Sequence, residues 1–95
     1  MEKIRARMGG DSMAPELKHG DFLSIEKMDY SKNMYWPGHI HLIELNDGQE
    51  VVRRLYDEGD SWRLRAESKE IPEQVIPKEI VKNIYRVVAS ARLYG

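Results

Sequence analysis

The chain has 95 residues, enough for one domain over residues 1–95 and too few for a second. Its net charge is −1, and Lys and Arg are spread among nearly equal Asp and Glu, so no basic stripe is available to neutralise a row of phosphates. It has no cysteine for disulfides or thiolate metal sites, and no apolar run approaches the ~20 residues that span a bilayer. We expect a cytoplasmic domain that avoids membranes and binds DNA poorly by itself.

The first half of the chain predicts two strands separated by a turn. Residues 1–8 alternate apolar and charged side chains, which favours a half-buried strand over a frayed arm. A turn-rich segment, residues 10–21, precedes an apolar strand at residues 22–27. Residues 28–38 have the composition of a loop, although Met34, Tyr35 and Trp36 are unusual there. We expect these three to cover an edge of the core; a partner-contact surface is the alternative.

The second half predicts a β-meander. Residues 39–45 and 50–56 resemble two strands joined by the hairpin signal Asn-Asp-Gly, and residues 61–66 predict a third strand. Pro72 and Pro77 bracket a stretch expected to be irregular, and residues 78–82 are compatible with one helical turn. Residues 83–93 predict a long final strand. The fold class is therefore mostly β, with antiparallel strands that close on themselves or pack as small sheets.

The most specific segment reads GDSMAPELKHGD, from Gly10 to Asp21. Glycine before a serine permits backbone conformations closed to other residues, which leaves Ser12 open to a close approach. Met13 offers an apolar wall, and Pro15 stiffens the turn. The alternative is a plain turn before a short helix, with Asp11 or Ser12 as its N-cap.

This segment resembles the nucleophile region of the LexA/UmuD-like self-cleaving serine peptidases, the C-terminal domains of LexA and many phage repressors. The positions that match are Gly10, Ser12, Met13, Pro15, Leu17, Gly20 and Asp21, followed by the strand from Phe22. Later matches are residues 38–42, 51–55, 64–68 and 85–88, so the resemblance covers roughly residues 10–92. It implies a small LexA-like C-terminal domain of antiparallel sheets, with a short helical turn after the serine and Gly10, Asp11, Met13, Pro15, Gly20 and Asp21 shaping the site.

The family's catalytic lysine position is occupied by Arg53. The resemblance implies a serine nucleophile, Ser12, activated by a neutral lysine in the strand that here reads Val-Val-Arg-Arg-Leu. A guanidinium has a pKa above ~12 and no lone pair available to accept a proton, so Arg53 is expected to be non-catalytic. It can still donate hydrogen bonds to Ser12 or to a carboxylate. Candidate carboxylates for Arg53 or Arg54 are Glu16, Asp21 and Glu67.

Other bases are less favoured. Lys18, Lys27, Lys32 and Lys69 lie off the family position and are expected to be solvated. His39 and His41 share one face of a predicted strand, where a structural role is favoured over a base or a metal ligand because no third ligand is evident. His19 is expected to be exposed. We predict no cofactor and no metal.

These features lead to an interaction-module hypothesis: an oligomerisation domain of a phage-type transcriptional repressor, unable to self-cleave. We expect a homodimer or higher homo-oligomer through residues 85–93, with Tyr85, Val87 and Val88 in the interface. DNA would be bound only through an N-terminal helix-turn-helix domain that this chain lacks, as it lacks an upstream scissile segment. The alternatives are an active self-cleaving peptidase and a UmuD-like polymerase accessory subunit.

Overall fold

In the part of the chain that the structure describes, the elements are seven β-strands and one short 3-10 helix. The computed structural model describes residues 3–28 and 35–92. The strands are β1 (Lys3–Arg7), β2 (Phe22–Lys27), β3 (Ile40–Leu45), β4 (Glu50–Asp57), β5 (Ser61–Arg65), β6 (Gln74–Pro77) and β7 (Val81–Ala91). The 3-10 helix is Lys78–Ile80. The mostly-β class is confirmed, and the 3-10 helix lies within residues 78–82, where the sequence allowed a helical turn.

The described strands form one antiparallel sheet in the order β1-β2-β7-β3-β4-β5-β6. The predicted meander is confirmed as β3-β4-β5. The last strand, β7, lies inside the sheet between β2 and β3, and pairs with β3 up to Arg86 and with β2 from Tyr85 to Ala91. Tyr85 and Arg86 therefore pair with a strand on each side, and the interface expected at residues 85–93 stays a prediction.

One strand was missed. The stretch bracketed by the two prolines was expected to be irregular, but β6 pairs with β5 through Trp62 and Ile76. Proline is tolerated there because β6 is the outermost strand and Pro77 ends it, so its missing N–H interrupts no interior ladder. The final strand also begins two residues earlier than predicted, at Val81.

Two apolar clusters form the core. The first collects buried side chains from the serine turn and the strands around it: Met8, Met13, Leu17, Leu23, Ile25, Leu42 and Val52. The second comprises Met28, Ile43, Leu55, Trp62, Leu64 and Ile84. Met13 is completely buried, so its apolar side chain is part of the core.

The aromatic residues after the first loop divide between core and surface. Tyr35 packs on the second cluster, with its ring 5.2 Å from that of Trp62, as predicted for a residue covering the core edge. Trp36 remains 38% exposed and lies over the guanidinium of Arg86, 4.2 Å from the ring centroid. Met34 and Lys32 fall outside the described residues.

Candidate functional site

The serine turn, residues 9–21, joins β1 to β2 and is fastened at its base. Met8 N–H donates to the Asp21 carbonyl at 2.8 Å, and Gly20 N–H donates to the Met8 carbonyl at 2.7 Å. Gly10 and Gly20 take left-handed φ values of 77° and 89°, which only glycine adopts without strain. Both turn glycines that the sequence marked are therefore required by the backbone.

A helical turn follows the serine, as the resemblance implied. Ala14 N–H donates to the Asp11 carbonyl at 3.1 Å, and Leu17 N–H donates to the Met13 carbonyl at 2.9 Å. Met13 and Leu17 point into the first core cluster. Ser12 is left half-buried, while Pro15 and Asp11 are exposed. Burial of the methionine and leucine thus fixes the direction in which the serine faces.

A third contact comes from the segment after β5. The Ser12 carbonyl accepts hydrogen bonds from the N–H groups of Glu67 and Ser68, both at 3.0 Å. These two residues belong to residues 64–68, one of the segments in which the sequence resembles the family. The segment holds the backbone of the serine turn, a role that the one-dimensional pattern did not indicate.

Arg53 lies directly beside Ser12. Its Nη1 donates to Ser12 Oγ at 2.8 Å and to the Val52 carbonyl at 2.8 Å. Burial lowers the pKa of the Arg53 guanidinium, but this group remains protonated in proteins. The structure thus brings together the two positions singled out from sequence, and the interaction at the hydroxyl is a donated hydrogen bond.

No histidine is in contact with Ser12 Oγ among the residues that the structure describes. His41 is fully buried; its Nδ1 donates to the His39 carbonyl at 2.8 Å, and burial lowers its pKa to about 4. His39 is exposed beside Trp36. His19 is exposed as expected, yet its Nδ1 accepts the Gly10 N–H at 2.9 Å and so braces the turn.

The lysine and carboxylate candidates also separate. Lys18, Lys27 and Lys69 are exposed, as predicted. Of the three candidate carboxylates for the arginine pair, Glu67 accepts a hydrogen bond from Arg54 Nε, and Glu16 is exposed. No carboxylate contacts Arg53 within residues 3–28 and 35–92.

Asp21 serves the turn rather than either of these arginines. Its carboxylate is buried and accepts hydrogen bonds from both Arg92 Nε, at 2.7 Å, and Arg92 Nη2, at 2.8 Å. It also accepts the Lys18 N–H at 2.8 Å. The Arg92 hydrogen bonds, followed by that from Lys18, lower the pKa of Asp21 to about 2. The aspartate is thus held ionised at the end of the serine turn.

A groove of about 610 Å³ opens in front of Ser12 and Arg53. One wall is formed by consecutive residues 5–9 of β1 and the start of the turn, and the other by residues 50–53 of β4. Leu42, Ile25 and Tyr85 contribute apolar surface. Sequence reasoning did not assign the β1 side, including Arg5 and Arg7, to the site; its alternation predicted a strand but not what that strand faces.

Among the residues that the structure describes, no three His, Cys, Asp or Glu side chains lie close enough together to form a metal-ligand set. No helix among them is long and apolar enough to cross a bilayer.

Comparisons with known proteins agree with the geometry of the serine turn. No curated protein matches the chain significantly. The model of the Peptidase S24-like family matches residues 3–88, which include the serine turn, Arg53 and all but the end of β7. With nearly its whole length matched, the chain belongs to the Peptidase S24-like family.

Proposed function

We propose that this chain is the oligomerisation domain of a phage-type transcriptional repressor, acting in the cytoplasm and unable to cleave itself. In this proposal Ser12 occupies the nucleophile position and Arg53 occupies the position of the base. DNA is bound through a domain outside this chain, and two copies of the present fold join two such domains. Pairing them raises their effective concentration at an operator without any new base contact.

The observation that carries the loss of catalysis is the hydrogen bond from Arg53 Nη1 to Ser12 Oγ. Serine attack on a peptide bond requires a group that removes the hydroxyl proton as the new bond forms. A neutral lysine supplies a lone pair for this purpose, whereas a guanidinium supplies only donors. The positive charge of Arg53 would stabilise an alkoxide, but it provides no acceptor for the proton that must leave first.

Oligomerisation is supported by the second half of β7. Past Arg86, this strand pairs with β2 alone among the described strands, so one side of residues 87–91 has no strand against it. Val88 is half-buried, and Ala89 and Ser90 are exposed. A strand side of this kind can pair with its copy about a two-fold axis. The proposed interface therefore moves toward Val87–Ala91 and away from Tyr85, whose backbone lies between β2 and β3.

Cleavage is tested on a longer polypeptide in which an Ala-Gly-containing segment precedes this chain. At alkaline pH we expect no loss of the upstream piece by mass spectrometry, and we expect slow loss in an Arg53→Lys variant, because lysine can deprotonate. Ser12→Ala in the Arg53→Lys background is the control and should stop the reaction. Ser12-dependent cleavage by the wild-type chain would contradict the proposal.

Association is tested by analytical ultracentrifugation of the isolated chain. We expect a dimer or larger species at high micromolar concentration, and a shift toward monomer in Val88→Asp, because a charge at the interface is costly to bury. Val75→Asp is the matched control, since Val75 lies on the opposite edge strand and is already 61% exposed. A wild-type chain that sediments as a monomer over the whole concentration range would defeat this part.

A further inference from the structure

The serine turn and the end of β7 meet at one carboxylate, that of Asp21. Arg92 directly follows β7 and donates to both carboxylate oxygens, from Nε to Oδ1 at 2.7 Å and from Nη2 to Oδ2 at 2.8 Å. The Lys18 N–H of the turn donates to the same Oδ2 at 2.8 Å. The Asp21 backbone also takes part, because its carbonyl accepts the Met8 N–H at 2.8 Å. Asp21 therefore joins the closing part of the serine turn to the residue that follows β7.

This ion pair continues the ladder between β2 and β7 by one position. Phe22 and Ala91 are the last registered pair of that ladder. Asp21 and Arg92 are the next residues along each strand. From residue 87 onward, β7 pairs with β2 alone among the described strands. A strand end that is supported on one side opens locally at a lower free energy than a strand inside a sheet. The position of Arg92 thus depends on a strand end that a second neighbour would stabilise.

The two partners of the ion pair differ in burial. The Asp21 side chain is 3% exposed, whereas the Arg92 side chain is 38% exposed. Removing the partner of a buried carboxylate is costly because water does not fully replace the lost hydrogen bonds. Arg92 loses rotamer freedom when it forms the pair. This loss is smaller when the backbone that carries Arg92 is already ordered.

We propose that the Arg92–Asp21 ion pair couples association of two copies to the order of the closing part of the serine turn, residues 18–21. The inference rests on the proposed function, which places the interface at residues 87–91. The bistable element is the end of β7, which pairs with β2 alone in a single copy and with β2 and the copy in the dimer. A copy paired there orders the backbone that carries Arg92, so the ion pair forms at a lower entropic cost. Arg92 is in this sense a positioning residue, which acts on the turn only through Asp21.

The coupling is reciprocal, because a free energy shared by two equilibria acts equally on both. An ordered turn presents the Asp21 carboxylate to Arg92 and so favours the state of β7 that pairs with a copy. Loss of the carboxylate should therefore weaken association, even though Asp21 lies at the end of the turn and outside residues 87–91. Coupling between two sites commonly amounts to a factor of about 5–150.

The experiment measures amide hydrogen exchange of the intact chain by NMR, at concentrations below and above the midpoint of dimer formation. We expect the exchange of the Lys18 and Asp21 amides to slow about fivefold or more in the dimer. The Gly48 amide, in the hairpin between β3 and β4, is the internal control and should exchange at one rate throughout. Arg92→Gln should remove the concentration dependence at the turn. Arg63→Gln, which also changes a partly exposed, ion-paired arginine, should keep it.

A second measurement separates coupling from a direct contact between Arg92 and the copy. By sedimentation, Asp21→Asn should raise the dimer dissociation constant by about the factor found for Arg92→Gln, because both variants break the same ion pair. Weakening by Arg92→Gln without weakening by Asp21→Asn would indicate direct contact and overturn the proposal. Where Asp21→Asn does not fold, the concentration dependence of the wild-type amides decides.

The two proposals fail in different ways. A wild-type chain that stays monomeric at every concentration overturns the proposed interface, and the coupling with it. A wild-type dimer whose turn amides exchange at the same rate as those of the monomer overturns the coupling alone. Concentration dependence that persists in Arg92→Gln also overturns only the coupling, since the turn would then respond to association without the ion pair.

Discussion

Arg53 and Arg86 are two arginines of one sheet whose surroundings are opposite. Arg86 is 4% exposed, donates from Nη2 to Glu26 at 2.8 Å and stacks on Trp36. Arg53 is half-buried at a groove and donates to a serine hydroxyl and a carbonyl. Arg86 has its counter-charge within the core, whereas Arg53 meets no carboxylate in the described part of the chain. The first arrangement is a buried ion pair, and the second is a half-buried cation whose hydrogen-bond acceptors are neutral.

The difference shows why residue type alone does not assign a role. Both arginines lie on strands that also carry buried apolar side chains. Removal of a charge partner lowers the free energy of unfolding strongly where water cannot replace the partner. The decrease is small where a groove admits water. The following predictions order the expected effects on the free energy of unfolding by this criterion.

The largest effect is expected at the buried ion pair. Glu26→Gln removes the carboxylate from a guanidinium that is almost fully buried, and the expected cost is about 3–5 kcal/mol. Urea denaturation of wild type and variant measures it. A free energy of unfolding within about 1 kcal/mol of the wild-type value would be no larger than a surface effect. That result would contradict the difference drawn between the two arginines.

A pH effect of similar size is expected from His41. The pKa of His41 in the folded chain is about 4, below the ordinary value of 6.5. Between these two pH values the imidazole is protonated in the unfolded chain and neutral in the folded chain. Stability is fully present above pH 6.5 and should fall by about 3 kcal/mol as the pH drops from 6.5 to 4. Denaturation at several pH values measures how the free energy of unfolding depends on pH. This dependence should be lost in His41→Gln and kept in His19→Gln, which changes an exposed histidine. Asp21, with its pKa near 2, contributes a separate loss only as the pH falls below 3.8.

A smaller effect is expected at the ion pair next to the serine turn. Arg54 and Glu67 are each about a quarter exposed, so Glu67→Gln should cost about 1 kcal/mol. The Glu67 N–H to Ser12 carbonyl bond belongs to the backbone and remains. A thermal shift of roughly 4–8 °C would correspond to that loss in a domain of this size. A loss as large as that of Glu26→Gln would mean that the carboxylate, and not the backbone, holds the turn.

The smallest effect is expected for Arg53 itself. Arg53→Gln removes a partly desolvated charge and two hydrogen bonds to neutral groups, which offset each other, so stability should stay within about 0.5 kcal/mol of wild type. Denaturant unfolding tests this alongside Glu26→Gln. A loss of several kcal/mol would show that Arg53 is a structural residue.

Local patterns were enough for the meander and the serine turn. Alternation with the hairpin signal located β3, β4 and β5, and the glycines at 10 and 20 located the turn, because these depend on neighbours in sequence. β6 was not predicted because its four residues lie between two prolines, which indicate irregular structure. Its pairing with Trp62 of β5 is a long-range contact that local patterns do not reveal. The position of Arg5 and Arg7 in the groove wall was not predicted for the same reason. Local sequence patterns do not show which strands face each other.

The sequence by itself determined the mostly-β class and the family, and it predicted that an arginine, which cannot accept a proton, stands at the position of the catalytic lysine. This property depends only on the residue type, because a guanidinium donates hydrogen bonds and accepts none wherever it lies in the fold. Only the tertiary structure decided that Arg53 reaches Ser12, that Glu67 goes to Arg54 and Asp21 to Arg92, and that β7 lies inside the sheet. Charge partners are selected by distance in the fold, and residues 41 positions apart meet through the sheet order rather than through the chain.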